Sequence, residues 1–320
     1  MTTQHQITEF INTAISEIRY PASPAGLYEP IAYTMSSGGK RLRPTLLLSV
    51  MEAFGGDIKD AVNQAIGIEM YHNFTLVHDD VMDNADVRRG RPTVARKWGR
   101  DTAILSGDTM LTMATEFISD CPADRIKDVL KLFNRTAIEV YEGQQYDMDF
   151  EERMDVTVDE YIEMIRLKTS VLLACACEIG AIMGGASNEE RKSFYDYGIS
   201  LGLAFQLRDD YLDTYGDPLI FGKEIGGDIV NEKKTWLLIN ALNEDSTNEL
   251  KHILASGLEN NEKIKEVRAI FDRLNLQNRI CEQIEKYTDQ AVAALQNTNL
   301  KPGWMEYFTS LARGLNNRVL

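Results

Sequence analysis

Cysteine is scarce in this sequence, with four residues among 320, at Cys121, Cys175, Cys177 and Cys281. A disulfide scaffold requires a denser supply of cysteine. Cys175 and Cys177 form a single C-x-C pair without a second pair elsewhere, so we interpret them as small buried side chains rather than as zinc ligands. The low cysteine content predicts a reducing compartment, and we expect the protein to be cytoplasmic.

Positive charge is also in short supply, because 34 Lys and Arg face 49 Asp and Glu, for a net charge of -15. Proteins that bind nucleic acids or anionic membranes present a basic surface to them. The composition therefore argues against a nucleic-acid partner. It is compatible with a partner that is itself cationic.

Long hydrophobic runs are missing as well. The longest apolar stretch, Val171–Gly185, contains Glu178 and is too short to cross a bilayer by itself. The first twenty residues include Glu9 and Glu17 and lack the apolar core of a signal peptide. We expect neither a membrane span nor a secretory leader.

The apolar residues recur with a helical period along most of the chain. Examples are Leu27, Ile31 and Met35, followed by similar patterns in 61–77 and 194–211. Alternating strand patterns and Asn-Gly or Asp-Gly hairpin signals are absent from the sequence. No repeat, low-complexity tract or change of composition marks a boundary, so we predict one all-α domain over residues 1–320.

Two D-D-x-x-D clusters begin 130 residues apart, and each follows an apolar helical segment. They are formed by Asp79, Asp80 and Asp83 and by Asp209, Asp210 and Asp213. Residues at i and i+4 of a helix point to the same side, where like charges weaken the helix by about 0.2–0.5 kcal/mol unless a cation lies between them. A single such cluster is commonly a solvated acidic face, but its repetition favours a pair of Mg²⁺-binding motifs.

Basic residues provide candidate ligands for anionic groups. Lys40 and Arg43 follow two glycines and, three residues apart, are predicted to share a helical face. Further candidates lie later in the chain, at Arg88, Arg89, Lys168, Lys223, Lys233 and Lys234. Individually these are ordinary surface charges. Together, the planar fork of Arg and the point charge of Lys suit a diphosphate.

These motifs, in this order, resemble those of the trans-isoprenyl diphosphate synthases, or polyprenyl synthetases, from about Leu27 to the C-terminus. The matching segments are Gly38–Pro44, Glu69–Thr93, Gly107-Asp108, Gly143-Gln144, Lys168-Thr169, Phe205–Asp213, and Gly222-Lys223 through Asp228 and Lys233–Thr235. The resemblance implies a homodimer in which each chain is an all-α helical bundle around a central cavity, with the aspartate motifs on facing helices.

The resemblance also implies roles for the candidate residues. The six aspartates are implied to bind about three Mg²⁺ that hold an allylic diphosphate, with the middle aspartate of each motif contributing least directly. Its other predicted ligands are Arg88, Lys168, Lys223 and Lys233, while Lys40, Arg43, His72 and Arg89 match positions that bind isopentenyl diphosphate. Thr169 and Gln206 match positions that stabilise the developing cation. The implied allylic partners are dimethylallyl, geranyl and farnesyl diphosphate.

Product length is predicted from the helix before the first motif. In the resembling family, side chains there form the floor beneath the growing chain, at positions matched by Tyr71, Phe74 and Thr75. The large Phe74 ring disfavours long products, and the small Thr75 leaves more depth than two adjacent aromatic residues would. These features favour geranylgeranyl diphosphate (C20), with farnesyl diphosphate (C15) as the alternative. The less favoured alternative is that Phe74 and Tyr71 are ordinary core aromatics.

Three other functions remain to be compared. A class I terpene cyclase typically has a different second metal motif and needs no second diphosphate site, so Asp209–Asp213, Lys40 and Arg43 argue against it. A non-catalytic subunit of a heteromeric synthase would tend to have lost the aspartates. A generic divalent-ion-binding protein would leave the ordered basic motifs unexplained.

Overall fold

The computed structural model describes residues 2–217 and 225–316, and it confirms the predicted all-α class. The first ten helices are α1 Gln4–Ser16, α2 Ala25–Met35, α3 Leu42–Ala53, α4 Val62–Met82, α5 Val94–Trp98, α6 Arg100–Ser119, α7 Ile126–Glu152, α8 Val158–Ile165, α9 Val171–Gly184 and α10 Asn188–Tyr215. The remaining helices are α11 Gly227–Val230, α12 Trp236–Glu244, α13 Glu249–Leu254, α14 Asn260–Arg273, α15 Leu276–Ala294 and α16 Pro302–Asn316. Short 3₁₀ turns cover Ile58–Ala61 and Leu295–Asn297.

The chain divides into two compact units. The first comprises Met1–Arg135 and Cys175–Lys192, and the second comprises Thr136–Ala174 and Ser193–Leu320. Each unit contains one of the two aspartate motifs. The single domain over residues 1–320 stays a prediction.

In the first unit, the core is built around α4, which is buried on nearly all sides. Its Gly67 permits a close approach of α6, because a Cβ atom there would lie 2.9 Å from the Ala114 carbonyl oxygen. Gly180 of α9 similarly lies against α3, where a Cβ atom would be 2.2 Å from the Leu47 carbonyl oxygen. The Gly67 contact therefore sets the approach of α6 to the helix that carries the first motif, and the Gly180 contact sets that of α9 to α3.

The second unit has a core of its own, formed by helices α8, α10, α12, α14 and α15 together with the end of α7. Fully buried members include Tyr161, Leu207, Leu237 and Phe271. The helical segment 158–184 contains a π-helical turn, Arg166–Ser170, between α8 and α9. This turn lies within the second unit, against α10, where a Cβ on Gly202 would be 2.5 Å from Ser170 Cα.

The helical segment Val158–Gly184 is long and apolar enough, by length and composition, to cross a membrane. Its most apolar stretch is, however, 78% buried within the protein, as expected for the core helix of a globular domain. The expected absence of a membrane span stays a prediction.

The predicted absence of strands is wrong at one place in the first unit. Val87–Arg88 pairs with Arg91–Pro92 in a two-stranded antiparallel hairpin. The turn residues Arg89 and Gly90 both have positive φ, 51° and 73°, which is typical of the turns that connect two-residue hairpins. Arg-Gly replaces the usual Asn-Gly or Asp-Gly, so the hairpin lacks its common sequence signal.

Candidate active site

The first aspartate motif occupies the C-terminal end of α4. Asp79 and Asp80 lie in its last turn, and Asp83 caps it, donating its backbone N–H to the Asp79 carbonyl oxygen at 2.8 Å. Asp79 is half-buried and Asp83 is exposed. The predicted helical placement is confirmed, and it brings two carboxylates to the accessible end of a buried helix.

Asp80, the middle residue of this motif, is only 4% exposed and is engaged by the protein itself. Arg88 Nε, from the hairpin, donates to Asp80 Oδ1 at 2.7 Å. Burial raises the pKa of Asp80, and the Arg88 guanidinium opposes that rise. Arg88 therefore keeps the middle carboxylate oriented and electrostatically compensated.

The glycine-led loop and the hairpin meet in the first unit. Arg89 Nη1 donates to the Gly38 carbonyl oxygen at 2.5 Å, and a Cβ on Gly39 would lie 3.1 Å from the same guanidinium nitrogen. Partial burial, followed by the charges of Arg43 and Arg89, lowers the pKa of His72 well below its ordinary value. Three of the four residues predicted to bind isopentenyl diphosphate are thus electrostatically coupled.

The prediction that Lys40 and Arg43 share a helical face is wrong, because α3 begins at Leu42 and Lys40 precedes it. Between them, Arg41 has a positive φ of 48° and is buried, at 4% exposure. Its guanidinium contacts Glu69 Oε1 at 2.5 Å and donates to the Met35 carbonyl oxygen at 2.9 Å. Arg41 is consequently a structural anchor that fixes the backbone between two candidate ligands.

The predicted floor residues lie on α4. The rings of Tyr71 and Phe74 are 5.5 Å apart, and both are buried. Phe74 also contacts the His78 ring at 4.7 Å, and a Cβ on Gly107 would be 2.2 Å from His78 Nε2. Thr75 is half-buried, with its hydroxyl donating to the His72 carbonyl oxygen at 2.8 Å. His78 therefore packs against Phe74, and Gly107 leaves room for the His78 ring, two relations that sequence spacing did not reveal.

The second aspartate motif lies near the end of α10, where Asp209 and Asp213 are half-buried and Asp210 is 4% exposed. Asp210 accepts hydrogen bonds at both oxygens, from Tyr161 Oη at Oδ2 and from Gln206 Nε2 at Oδ1, the latter at 3.1 Å. Burial raises its pKa to about 6, although both hydrogen bonds favour the ionised form. Sequence reasoning missed Tyr161, which lies outside the quoted motifs.

The chain beyond the second motif returns to it. Asp228 donates its backbone N–H to Asp213 Oδ2 at 2.9 Å, and Gly226 donates to the Asp213 carbonyl oxygen at 2.7 Å. Burial first, and then the neighbouring Asp210, raise the pKa of Asp228 to about 7. The sequence analysis included Asp228 in a segment that matches the resembling family but predicted no role for it.

Two predicted cations of the second unit, Lys168 and Lys233, lie near Asp147, and the charge of Lys233 also acts on Asp210 and Asp228. Lys168, in the π-helical turn, contacts Asp147 Oδ2 at 2.6 Å. Although burial raises the pKa of Asp147, the charges of Lys233 and Lys168 outweigh it and lower that pKa below its usual value. Gly143 makes room for the turn, since a Cβ there would be 2.3 Å from the Lys168 nitrogen. Lys223 lies outside the described residues.

Thr169 and Gln206, the predicted cation-stabilising pair, are in contact within the second unit. Thr169 Oγ1 donates to Gln206 Oε1 at 3.1 Å. Because Gln206 also donates to Asp210, a continuous hydrogen-bonded chain runs from Thr169 through Gln206 and Asp210 to Tyr161. This chain joins two predicted functions, cation stabilisation and metal binding.

The carboxylate chemistry of both motifs fits Mg²⁺, a hard cation that proteins commonly hold by one or two carboxylates, with water and phosphate completing the shell. Asp79 and Asp83 in one unit, and Asp209 and Asp213 in the other, offer such oxygens at the ends of helices. Among the described residues, no three His, Cys, Asp or Glu side chains are grouped closely enough to bind an ion unaided.

Comparison with known proteins gives consistent matches. The polyprenyl synthetase family model matches residues 24–272, more than half of the chain. A geranylgeranyl diphosphate synthase of Methanosarcina mazei is 42% identical over 233 residues, which are 72% of each protein.

Solved structures extend the likeness to the whole fold. A crystal structure of a geranylgeranyl pyrophosphate synthase is 44% identical, with a TM-score of 0.95 over 99% of both chains. A polyprenyl synthase from Caulobacter crescentus, complexed with calcium and isoprenyl diphosphate, is 27% identical, with a TM-score of 0.82 over 98% of this chain and 94% of that one.

Proposed function

This chain belongs to the polyprenyl synthetase family, and from that premise we propose that it condenses isopentenyl diphosphate with an allylic diphosphate to form geranylgeranyl diphosphate. The observation that carries the proposal is the construction shared by the two motifs. In each, the middle aspartate is buried and held by protein donors while its neighbours reach the accessible helix end. A solvated acidic face would not require such support.

The carboxylates of both motifs are proposed to hold Mg²⁺ against the allylic diphosphate. When bound, the ions would neutralise the charge that develops on the departing pyrophosphate. The family resemblance puts their number at about three. The calcium and isoprenyl diphosphate bound by the Caulobacter relative support this combination of metal and substrate.

The protein's own residues are proposed to complete the reaction. Arg88, Lys168, Lys233 and Lys223 would bind the allylic diphosphate, while Lys40, Arg43, His72 and Arg89 would bind that of isopentenyl diphosphate. Loss of pyrophosphate leaves an allylic cation, which the Thr169 and Gln206 oxygens would stabilise. The double bond of isopentenyl diphosphate then attacks that cation, and a proton is lost to the released pyrophosphate. Apolar walls must exclude water, which would capture the cation.

The proposed C20 product is supported by the names of the relatives and by the buried Phe74 ring, with Thr75 beside it. Farnesyl diphosphate is the second candidate. It is favoured by Tyr211 and Leu212 within the second motif and by the Lys234-Thr235-Trp236 sequence, which resemble the farnesyl branch.

We also propose a cytoplasmic homodimer. Exposed apolar side chains on α6 and α7 support self-association, since Leu105, Ile138 and Tyr141 are 59%, 57% and 41% exposed. Light scattering coupled to size-exclusion chromatography would test the dimer, and a monomer at micromolar concentration would contradict it.

A product assay tests the proposed function. Purified protein would be incubated with Mg²⁺, isopentenyl diphosphate and each allylic diphosphate, and chain lengths would be read by mass spectrometry. We expect a C20 product that disappears with EDTA. A C15 product would favour the alternative, whereas no elongation from any starter would overturn prenyl transfer. A cyclised hydrocarbon would instead indicate a cyclase.

A further inference from the structure

We infer that Tyr161 is a positioning residue for prenyl transfer, acting through Asp210 and Gln206 on Thr169. Tyr161 lies on α8, 49 residues before Asp210 in the sequence, and its side chain is 1% exposed. The inference rests on the proposed function and extends it to a residue outside the recognised motifs.

The first step is the fixing of the Asp210 carboxylate. Its two oxygens have different donors, Tyr161 Oη at Oδ2 and Gln206 Nε2 at Oδ1. A buried carboxylate anchored at both oxygens cannot rotate without breaking a hydrogen bond to a charged group. Loss of the Tyr161 hydroxyl would leave Oδ2 without this buried donor and would release the rotation.

The second step is the orientation of the Gln206 amide. Because its NH₂ group donates to Asp210, its oxygen faces Thr169 and accepts the Thr169 hydroxyl proton at 3.1 Å. A hydroxyl whose proton is engaged presents its lone pairs in the other directions. Thr169 would thereby offer negative electrostatic potential to an allylic cation.

The surrounding fold holds Tyr161 firmly. Thr157 and Glu160 form a capping box at the start of α8, one turn before the ring, and Arg153 contacts Glu160 at 2.8 Å. The ring itself belongs to the core of the second unit. Because the Tyr161 ring is held in the core, its hydroxyl can fix the orientation of the Asp210 carboxylate, which a mobile donor at the surface could not do.

The test compares Tyr161→Phe with Tyr197→Phe. Tyr197 is also fully buried in the second unit, but its hydroxyl donates to the Phe308 carbonyl oxygen at 2.9 Å, outside the hydrogen-bonded chain. Both variants lose one buried hydroxyl. Thermal unfolding of each variant therefore shows whether a loss of kcat comes from a loss of stability. We expect Tyr161→Phe to lower kcat about 10- to 100-fold with both KM values within about twofold, and Tyr197→Phe to retain wild-type kcat.

A second measurement is the ratio of allylic alcohol, formed when water captures the cation, to elongated product. Only active molecules contribute to either product, so the ratio does not depend on the folded fraction. We expect it to rise in Tyr161→Phe alone. An unchanged ratio, or equal kcat losses in both variants, would overturn the positioning role. Inactivity of the wild-type enzyme would instead reject the proposed function.

Discussion

Asp80 and Asp210 hold the same position in the two aspartate motifs, but the protein surrounds them with different donors. Asp80 is paired with a cation, the half-exposed Arg88. Asp210 has the neutral donors Tyr161 and Gln206, and Asp228 lies near enough to influence it electrostatically. Burial raises both carboxyl pKa values; the Arg88 charge opposes the rise at Asp80, whereas the Tyr161 hydrogen bond and the Lys233 charge oppose it at Asp210.

The comparison shows that the buried middle aspartate of a D-D-x-x-D motif can be stabilised in two ways. The first unit compensates its buried carboxylate by an ion pair that requires a specific hairpin. The second unit combines several acids with Lys168 and Lys233, which lie around Asp147. The second motif should therefore respond more strongly to pH and to bound cations.

The largest expected effect concerns the outer aspartates. Asp79→Asn and Asp209→Asn should each lower kcat on the order of 100- to 1000-fold, because each removes a proposed metal ligand from a different unit. Steady-state kinetics at saturating Mg²⁺ would measure the losses. Wild-type activity in either variant would contradict the assignment for that motif.

The next prediction separates the two middle aspartates. In a double-mutant cycle, Asp80→Asn and Arg88→Gln should show a coupling of about 1–3 kcal/mol in unfolding free energy, since they form one partly buried ion pair. Combining Asp210→Asn with Arg88→Gln provides the control, because the donors to the Asp210 carboxylate are Tyr161 and Gln206. Additive effects of Asp80→Asn and Arg88→Gln would mean that the pair does not compensate burial.

A third prediction concerns the acidity of the second motif. In metal-free protein, Asp228 has its pKa raised from 3.8 to about 7, so the folded state binds more protons than the unfolded state across that interval. Stability should then fall as pH rises through this window, by up to about 4 kcal/mol attributable to Asp228. Asp228→Asn should flatten the slope in urea unfolding between pH 5 and about pH 8. A slope equal to that of the wild type would disprove this cause.

The smallest rate effect is expected at the proposed floor in the first unit. Phe74→Ala should lengthen the product by an isoprene unit or more, with a modest change in rate, because it removes the ring braced by His78. Mass spectrometry of the products would measure the change. Phe194→Ala, which truncates an equally buried ring in the second unit, should leave chain length unchanged. An unaltered product from Phe74→Ala would show that the floor lies elsewhere.

Much of the fold was predictable because its signals are local. Apolar residues at helical spacing, such as Leu27, Ile31 and Met35, predicted helices that the structure confirms. The hairpin at 87–92 was not predictable by the same means, because Arg89 has a positive φ of 51° that arginine rarely adopts and the local sequence does not indicate. The prediction that Lys40 and Arg43 share a helical face was wrong, because α3 begins only at Leu42 and Arg41, just before it, is anchored to Glu69.

The sequence by itself determined the all-α class, the two aspartate motifs and the family, because each depends on residues close together in the chain and on their order. Only the tertiary structure decided which donors reach the middle aspartates, Arg88 for one and Tyr161 for the other. It also decided that Asp228 returns to Asp213. These contacts depend on how closely helices pack and where turns reverse the chain. Glycines such as Gly143 and Gly202 allow neighbouring helices to pack closely. Which side chains then meet is set by the three-dimensional packing of those helices.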